Sequence, residues 1–512
     1  GHLLGGIQYA TGLVAADCAP DGGSPLEPPP DADFDQVTLA KGEASAGEPI
    51  AMAVLPDGDV LHTSRDGRVF LTTAEASTTL AGQVPVYNHD EDGLQGVAVD
   101  ANFAENRWVY LYYAPPLDTP AGDAPGNGTE ADFAPFNGHN QLSRFTLTES
   151  GTLDLDSEQQ ILQVPANRGI CCHAGGEIDF DGEGNLLLST GDDTNPFNSD
   201  GYSPIDERGD RNPAFDAQRS AGNTNDLRGK LLRITVGADG SYTVPDGNLF
   251  AAGTEKTRQE IYAMGFRNPF RFAVDKQTGW VYLGDYGPDA GAANPNRGPG
   301  GIVEFNLIKE AGNYGWPYCT GDNSVPYQDY DFATGQSAGP FDCSAPKNTS
   351  PNNTGLTDLP PVQPAWIPYD GNSVPEFGGG SESPMGGPVY NYDPDLESDT
   401  KFPEYYDGKN FAYEWGRGWI KEIAVGADGQ RGEILPFFDS MVLERPMNLE
   451  FGPDGSLYVL DYGTGYFGGS PESAVYRIDY TAGGRTPAVK VAADKTSGPT
   501  PLEVTFDPAG TE

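Results

Sequence analysis

Short apolar runs, each cut by a turn and followed by a second apolar run, recur along most of this chain. "AMAVLPDGDVLHTSRDGRVF" begins at Ala51 and "VAVDANFAENRWVYLYYAP" at Val97. The unit returns as "IDFDGEGNLLLSTGD" from Ile178, "FAVDKQTGWVYLGDYG" from Phe272 and "LEFGPDGSLYVLDYG" from Leu449, the last three closing on Gly-Asp or Asp-Tyr-Gly. Alternating apolar positions bounded by Asp, Gly or Asn follow the period of a strand, not of a helix. A hairpin repeated at wide, irregular intervals with variable loops between is how propeller blades read in a sequence. Six blades of four strands need on the order of 400 residues, which places the propeller over 34–480. A two-sheet sandwich would not account for the repeated unit. The predicted fold is therefore all-β, a six-bladed β-propeller.

Two flanks break the pattern. Residues 1–33 end in "GGSPLEPPPDAD", the composition of a linker. After "YRIDY" comes a short linker, 481–487, and then 488–512, "AVKVAADKTSGPTPLEVTFDPAGTE". That tail resembles the first strands of a PKD-type immunoglobulin-like module. About a third of such a domain is present, so the chain is expected to be truncated from a longer one.

Composition narrows the function. Among 512 residues, 68 Gly, 44 Pro and 55 aromatic side chains (25 Tyr, 24 Phe, 6 Trp) suit many short strands joined by turns. The net charge of -45 argues against nucleic acid, which a polyanionic surface repels. No apolar run is long enough to span a bilayer. The five cysteines are 18, 171, 172, 319 and 343. Cys319 and Cys343 bracket one polar loop and can pair; Cys171 and Cys172 can form a vicinal bridge or stay reduced; Cys18 is left over. With the acidic, loop-rich composition this points to a secreted or periplasmic protein; no signal peptide is visible ahead of the opening "GHLLGG", which says little either way.

Nucleotide and thiolate-zinc signatures are absent: no Walker loop, no G-x-G-x-x-G, no H-E-x-x-H, no C-x-x-C. The candidate chemistry lies at strand entrances instead. In "CCHAGGEIDF", His173 precedes a blade strand and small residues that let a ligand approach the backbone. Imidazole suits proton abstraction near neutral pH, although a loop histidine held by hydrogen bonds looks the same in sequence. "IYAMGFRNPFRFAVD" puts Arg267 and Asn268 before another strand, where a guanidinium can hold an anion or a developing oxyanion, or a structural carboxylate. The loop from "GDYGPDAG" to "NYGWPYCTGD" concentrates carbonyls and carboxylates of the kind that suit calcium. "HDEDGLQGVAVD" carries Glu91 and Asp92 ahead of a further strand.

In this order, "DGLQGVAVDANF", "HAGG…STGD", "YAMGFRNPFRFAVD", "NLIKEAGNYGWP" and "FGPDGSLYVLDYG" resemble the soluble PQQ-dependent glucose/sorbosone dehydrogenases, a six-bladed propeller family. The resemblance implies a role for each residue. His173 matches the base that takes a proton from a sugar hydroxyl while hydride passes to the quinone. Arg267 matches the arginine that polarises the quinone carbonyl, with Asn268 beside it. Gly287 and Pro288 match the carbonyl ligands of the calcium on the cofactor, and Glu304 and Tyr314 fall at a second calcium position. Trp366 resembles an aromatic covering the cofactor plane, and Arg445 matches one arginine gripping its carboxylates. The chain also departs from the pattern. Met447 stands where a second clamp arginine would fall, and Arg417 supplies the charge near the clamp lysine, one position displaced. Glu91 replaces a glutamine, and Glu177 stands where an arginine usually follows the Gly-Gly.

Three expectations follow. The first is an enzyme using PQQ and calcium to oxidise a hydroxyl of a sugar or polyol, with a small sugar or oligosaccharide as substrate, passing electrons to an external acceptor, since no C-x-x-C-H haem motif is present. The second keeps the propeller but makes His173, Glu91 and Glu177 an acid/base set for hydrolysis or elimination, with calcium holding substrate. The third is a non-enzymatic glycan-binding propeller.

Overall fold

The computed structural model describes residues 27–195, 197–482, 492–493 and 506–507. Six four-stranded antiparallel blades form a ring. Blade I comprises Pro49–Val54, Val60–Ser64, Arg68–Thr72 and Thr78–Gln83. Blade II comprises Leu94–Val99, Trp108–Tyr113, Asn137–Leu147 and Leu153–Asn167. Blade III uses Gly175–Phe180, Leu186–Thr190, Lys230–Val236 and Ile261–Met264; Gly312–Asn313 adds a parallel edge to it. Blade IV uses Arg271–Val274, Val281–Asp285, Val303–Ile308 and Ile367–Tyr369. Blade V has Pro384–Met385, Asn410–Glu414, Trp419–Val425 and Arg431–Pro436.

Blade VI closes the ring. Its first three strands are Pro446–Phe451, Leu457–Asp461 and Ala474–Tyr480, and its fourth is Phe34–Lys41 from the other end of the described chain. Phe34 is 1% exposed and meets Phe402, Phe437 and Tyr480 at centroid separations of 5.3, 5.4 and 5.4 Å. The first strands of blades I, II and III pack against one another around the axis, as do those of VI with I and III with IV. A strand walled by neighbours on both faces reads as a continuous apolar run, not an alternating one. "PIAMAV", buried at every position, is the case here.

Two loop insertions thicken one face, one between 193 and 229 and one between 320 and 365. The second carries the hairpin Gln328–Asp331 and Gln336–Pro340 and is bridged to the fold by Cys319–Cys343, with an S–S distance of 2.00 Å. No helix among the described residues is long and apolar enough to cross a membrane. The predicted immunoglobulin-like tail lies outside the described residues, apart from two paired positions, Ala492 with Asp507 and Ala493 with Phe506. Most of the predicted N-terminal extension, Cys18 included, also lies outside them.

Candidate active site

First and second strands of a blade run antiparallel, so each first strand starts on the face where the second one ends. Carboxylates at these ends clamp the starts. Asp285 accepts from the backbone N–H of Arg267 (3.1 Å) and Asn268 (2.8 Å). Asp461 does the same for Glu444 (3.0 Å) and Arg445 (2.9 Å), and Glu414 for Ser383 and Arg417. Asp285 and Asp461 belong to the Asp-Tyr-Gly endings seen in sequence. They fix the loops of one face, and the site is built from those loops.

His173 is 4% exposed, with a backbone φ of 71°. That left-handed conformation is costly for a residue with a Cβ and persists only where its surroundings impose it. Glu91 is one source: its Oε2 accepts from the N–H of His173 (2.7 Å) and of Ala174 (3.3 Å). Gly191 is another, because a Cβ there would overlap the His173 carbonyl oxygen. The ring Nδ1 lies 2.6 Å from Asp192 Oδ1. Asp192 is fully buried. Burial alone would raise its pKa, but the His173 ring, the charge of Arg267 and the hydrogen bonds it accepts outweigh that and hold it below the ordinary carboxylate range. An ionised carboxylate only accepts, so Nδ1 carries a proton and donates it to Asp192, which leaves Nε2 as the ring nitrogen not engaged by that carboxylate. Asp192 Oδ2 accepts from the indole N–H of Trp316 (2.7 Å), which fixes the carboxylate in turn.

Arg267 is 3% exposed. Its carbonyl accepts from the Asp192 N–H (2.8 Å), tying blade IV's entrance to the base. Nη1 donates to the Tyr286 carbonyl (3.3 Å), and Nη2 stands 3.7 Å from Asp289. Asn268 bridges the same elements: Oδ1 accepts from Gly175 N–H (3.2 Å) and Nδ2 donates to Glu91 (3.4 Å). Beside Arg267 a small pocket gathers Gly287, Pro288, Glu304 and Tyr314 with Asp285 and Thr320. Burial raises the pKa of both Asp285 and Glu304, and the charge of Glu304 raises Asp285 further. The four residues expected to hold metal thus share one pocket of hard oxygen donors.

On the propeller axis, an apolar cleft of about 270 Å³ opens on the same face, lined by Asn268, Phe270, Tyr286, Trp415, Tyr462 and Phe467, with Glu91, Arg65 and Met447 also in its wall. Arg445 stacks on Trp415 at 4.7 Å and donates to the Gly465 carbonyl (2.7 Å). Below the cleft, Arg271 is fully buried and donates to the carbonyls of Ile50, Phe270 and Met447 from the middle of the ring. It divides the cleft from a second cavity of about 330 Å³ on the other face.

Three expectations are corrected. Trp366 does not reach the cleft. It precedes Ile367–Tyr369, the outermost strand of blade IV, packs on Tyr282 and donates to the Gly429 carbonyl (2.9 Å). Arg417 is used up in structure, its guanidinium donating to the carbonyls of Ser381 (2.7 Å), Gly378 (2.7 Å) and Gly371 (2.8 Å). Glu177 does not join His173. It faces the axis, 3.1 Å from Arg271 Nε, and accepts twice from Asn448. Burial pushes its pKa up to about 7 against the pull of Arg271. The acid/base set of the hydrolase expectation is therefore not assembled.

Sequence reasoning missed Asp192, Trp316, Trp415 and Arg65. Asp192 was signalled by the recurring Gly-Asp strand ending. Trp316 and Trp415 lie in "NYGWP" and "EWGRG", motifs noticed for their neighbours. Arg65 follows an ordinary strand and carries no local signal; it pairs with Glu48 (2.9 Å) and stacks on Phe467 at 5.0 Å.

Fold and site together define a six-bladed propeller whose axial mouth carries a histidine–carboxylate pair, a buried arginine and a pocket of oxygen donors. Residues 46–380, well over half of the chain, match the glucose/sorbosone dehydrogenase family model, and the chain belongs to that family. An uncharacterised protein of Synechocystis is 27% identical over 424 residues, 80% of this chain and 81% of that one. The aldose sugar dehydrogenase YliI of Escherichia coli is 29% identical over 276 residues, 53% of this chain and 59% of that one. Quinoprotein glucose dehydrogenase B of Acinetobacter calcoaceticus is 25% identical over 354 residues, 65% of this chain and 63% of that one. Among solved structures, the PQQ-bound aldose sugar dehydrogenase of Streptomyces coelicolor superposes with a TM-score of 0.51 at 20% identity, over 88% of this chain and 99% of that one. The apo aldose sugar dehydrogenase of E. coli gives 0.55 at 19%, over 87% and 99%. At these identities the superpositions establish the propeller.

Proposed function

We propose that this chain is a PQQ- and calcium-dependent dehydrogenase that oxidises a hydroxyl of a sugar or polyol and passes the electrons to an external acceptor. The observation that carries the reading is the His173–Asp192 pair, tied through the Arg267 backbone to a buried guanidinium beside the axial cleft. Family membership and the names of the relatives support it.

The residues fit the cofactor. A flat, tricarboxylated o-quinone needs apolar walls and donors for its carboxylates. The cleft has aromatic walls, Arg445 and Arg65 flank it on Trp415 and Phe467, and the buried Trp415 indole N–H has no acceptor among the described residues. Arg65 keeps only Nη2 for a ligand, since its Nε pairs with Glu48 (2.9 Å) and its Nη1 donates to the carbonyls of Asn88 (2.6 Å), Asp90 (2.8 Å) and Asp92 (3.2 Å), and Met447 brings no charge at all. Calcium would be held by the carbonyls of Gly287 and Pro288, hard oxygen ligands that suit it, with Glu304 and Tyr314 in the same pocket. When bound, PQQ supplies the two-electron acceptor for the hydride that the substrate carbon gives up.

The chain's own groups do the rest. His173 Nε2 takes the hydroxyl proton, and Asp192, ionised and fixed by Trp316, stabilises the imidazolium that forms. Arg267 donates to negative charge that builds up beside it. Glu91 holds the His173 backbone in its left-handed turn, and Asn268 links that segment to blade IV. The acidic surface and cysteine usage support an exported protein.

Calorimetric titration of PQQ into the protein with calcium present tests the reading. Binding that weakens about 10- to 100-fold in Arg267→Ala, the worth of one or two charge-assisted hydrogen bonds, together with dye-linked oxidation of aldoses, is the expected outcome. A protein that binds no PQQ with or without calcium would overturn it.

A further inference from the structure

Directly before His173, Cys171 and Cys172 form a vicinal disulfide. A bridge between neighbouring residues closes a ring of eight atoms, leaving almost no torsional freedom. The pair is half-buried, whereas His173 behind it is buried. Both sulfurs line a narrow cleft whose wall also includes His89, Asp90, Glu91 and His173. A carboxylate oxygen of Glu91 and the two sulfurs all lie within 4.8 Å of one another. Glu91 also edges the axial cleft, so the two clefts share a wall at the base. Rigid, polarisable, apolar sulfur thus stands beside two carboxylates and an imidazole, within one residue of the group that takes the proton.

This juxtaposition matches one ligand chemistry. A pyranose carries an apolar C–H face bordered by hydroxyls, and binding it takes an apolar platform edged with hydrogen-bond acceptors. We propose that the Cys171–Cys172 disulfide is the ring-stacking platform of the sugar subsite, with Asp90 and Glu91 receiving hydroxyls at its edge. The assignment rests on the sugar-oxidising reading above. It gives the adjacent cysteines a specificity role: a ring is held flat against sulfur, and an acyclic polyol gains less from the same surface.

The test is protection of the disulfide in the wild-type protein. Thiols released by a phosphine reductant are titrated over time with a saturating aldopyranose, with an equal concentration of glycerol, and with neither. A several-fold slower release of the Cys171–Cys172 thiols with the aldose alone, Cys319–Cys343 serving as internal control, is the expected result. In parallel, C171S/C172S, checked for an unchanged thermal transition, should raise KM for the aldose about tenfold, the scale of one lost apolar contact surface. KM should change more than kcat, and PQQ affinity should be retained. Equal release with and without aldose, in protein that binds PQQ and oxidises aldoses, would remove the platform and leave the function. Protection by aldose in protein that binds no PQQ would keep the platform and remove the oxidation chemistry.

Discussion

His173 and Asp192 act as one unit because an ionised Asp192 keeps a proton on Nδ1 and leaves Nε2 as the ring nitrogen it does not engage. Asp192→Asn lets the ring take the other tautomer, so kcat should fall by about 10²- to 10⁴-fold, as should that of His173→Ala. PQQ affinity measured by calorimetry should hold in both variants; a loss of cofactor together with rate would reassign the pair to binding. Arg417→Ala separates two roles in the same way. Its guanidinium joins the carbonyls of the 371–382 loop, so the variant should lose thermal stability and bind PQQ as before. At this scale the sequence was partly legible. His173, Arg267 and Asn268 sit in short motifs that show in the sequence by themselves, although the partners that fix them, Glu91, Asp192 and Asp285, come from other stretches of the chain. Trp366 and Arg417 were misread because nothing local says whether a loop returns to the axis: Trp366 leads into the outermost strand of blade IV, and Arg417 is drawn away by the carbonyls of Gly371, Gly378 and Ser381.

Among elements, the loop that leaves blade III and returns at Lys230–Val236 is held by a buried charge network. Asp226 pairs with Arg228 (2.6 Å), and Arg228 reaches Asp193 (2.7 Å), which also receives Arg219 (3.1 Å). Burial works against an ionised Asp226, but Arg228 and Lys230 prevail and bring its pKa down to about 2. A carboxylate depressed in the folded state contributes stability that is complete above its ordinary pKa and is lost as pH falls toward the depressed value. The difference between wild type and Asp226→Asn should therefore be about 2 kcal/mol at pH 6. It should shrink between pH 4 and pH 2, read from denaturant unfolding at each pH. A difference that stays constant over that window would mean the carboxylate contributes through hydrogen bonding alone. The hairpin repeats were legible because strand period and turn residues are local. The insertions were not: their order comes from ion pairs and the Cys319–Cys343 bridge between segments that show no period.

For the whole molecule, the decisive contact joins the two ends of the ring. A propeller with open blades exposes two sheet edges, and pairing Phe34–Lys41 with Ala474–Tyr480 removes them. The repeat pattern predicted six blades but not which strand completes the sixth, since a single strand lacking its hairpin partner carries no repeat signal. Phe34 anchors this closure in an aromatic cluster shared by blades V and VI, against Phe402 and Phe437. Phe34→Ala should cost about 3–5 kcal/mol, the usual range for a fully buried phenylalanine, and lower the thermal transition by several degrees. The loss should reach the site unevenly. Trp415, Tyr462 and Arg445 stand on blades V and VI, so PQQ binding should weaken, whereas His173, Asp192 and Arg267 stand on blades III and IV and should keep their geometry. With PQQ at saturation, kcat should then lie close to wild type while the concentration of cofactor needed to reach it rises. Equal losses of kcat and cofactor affinity would mean that the ring opens as a unit, and that closure holds every blade rather than the two it joins.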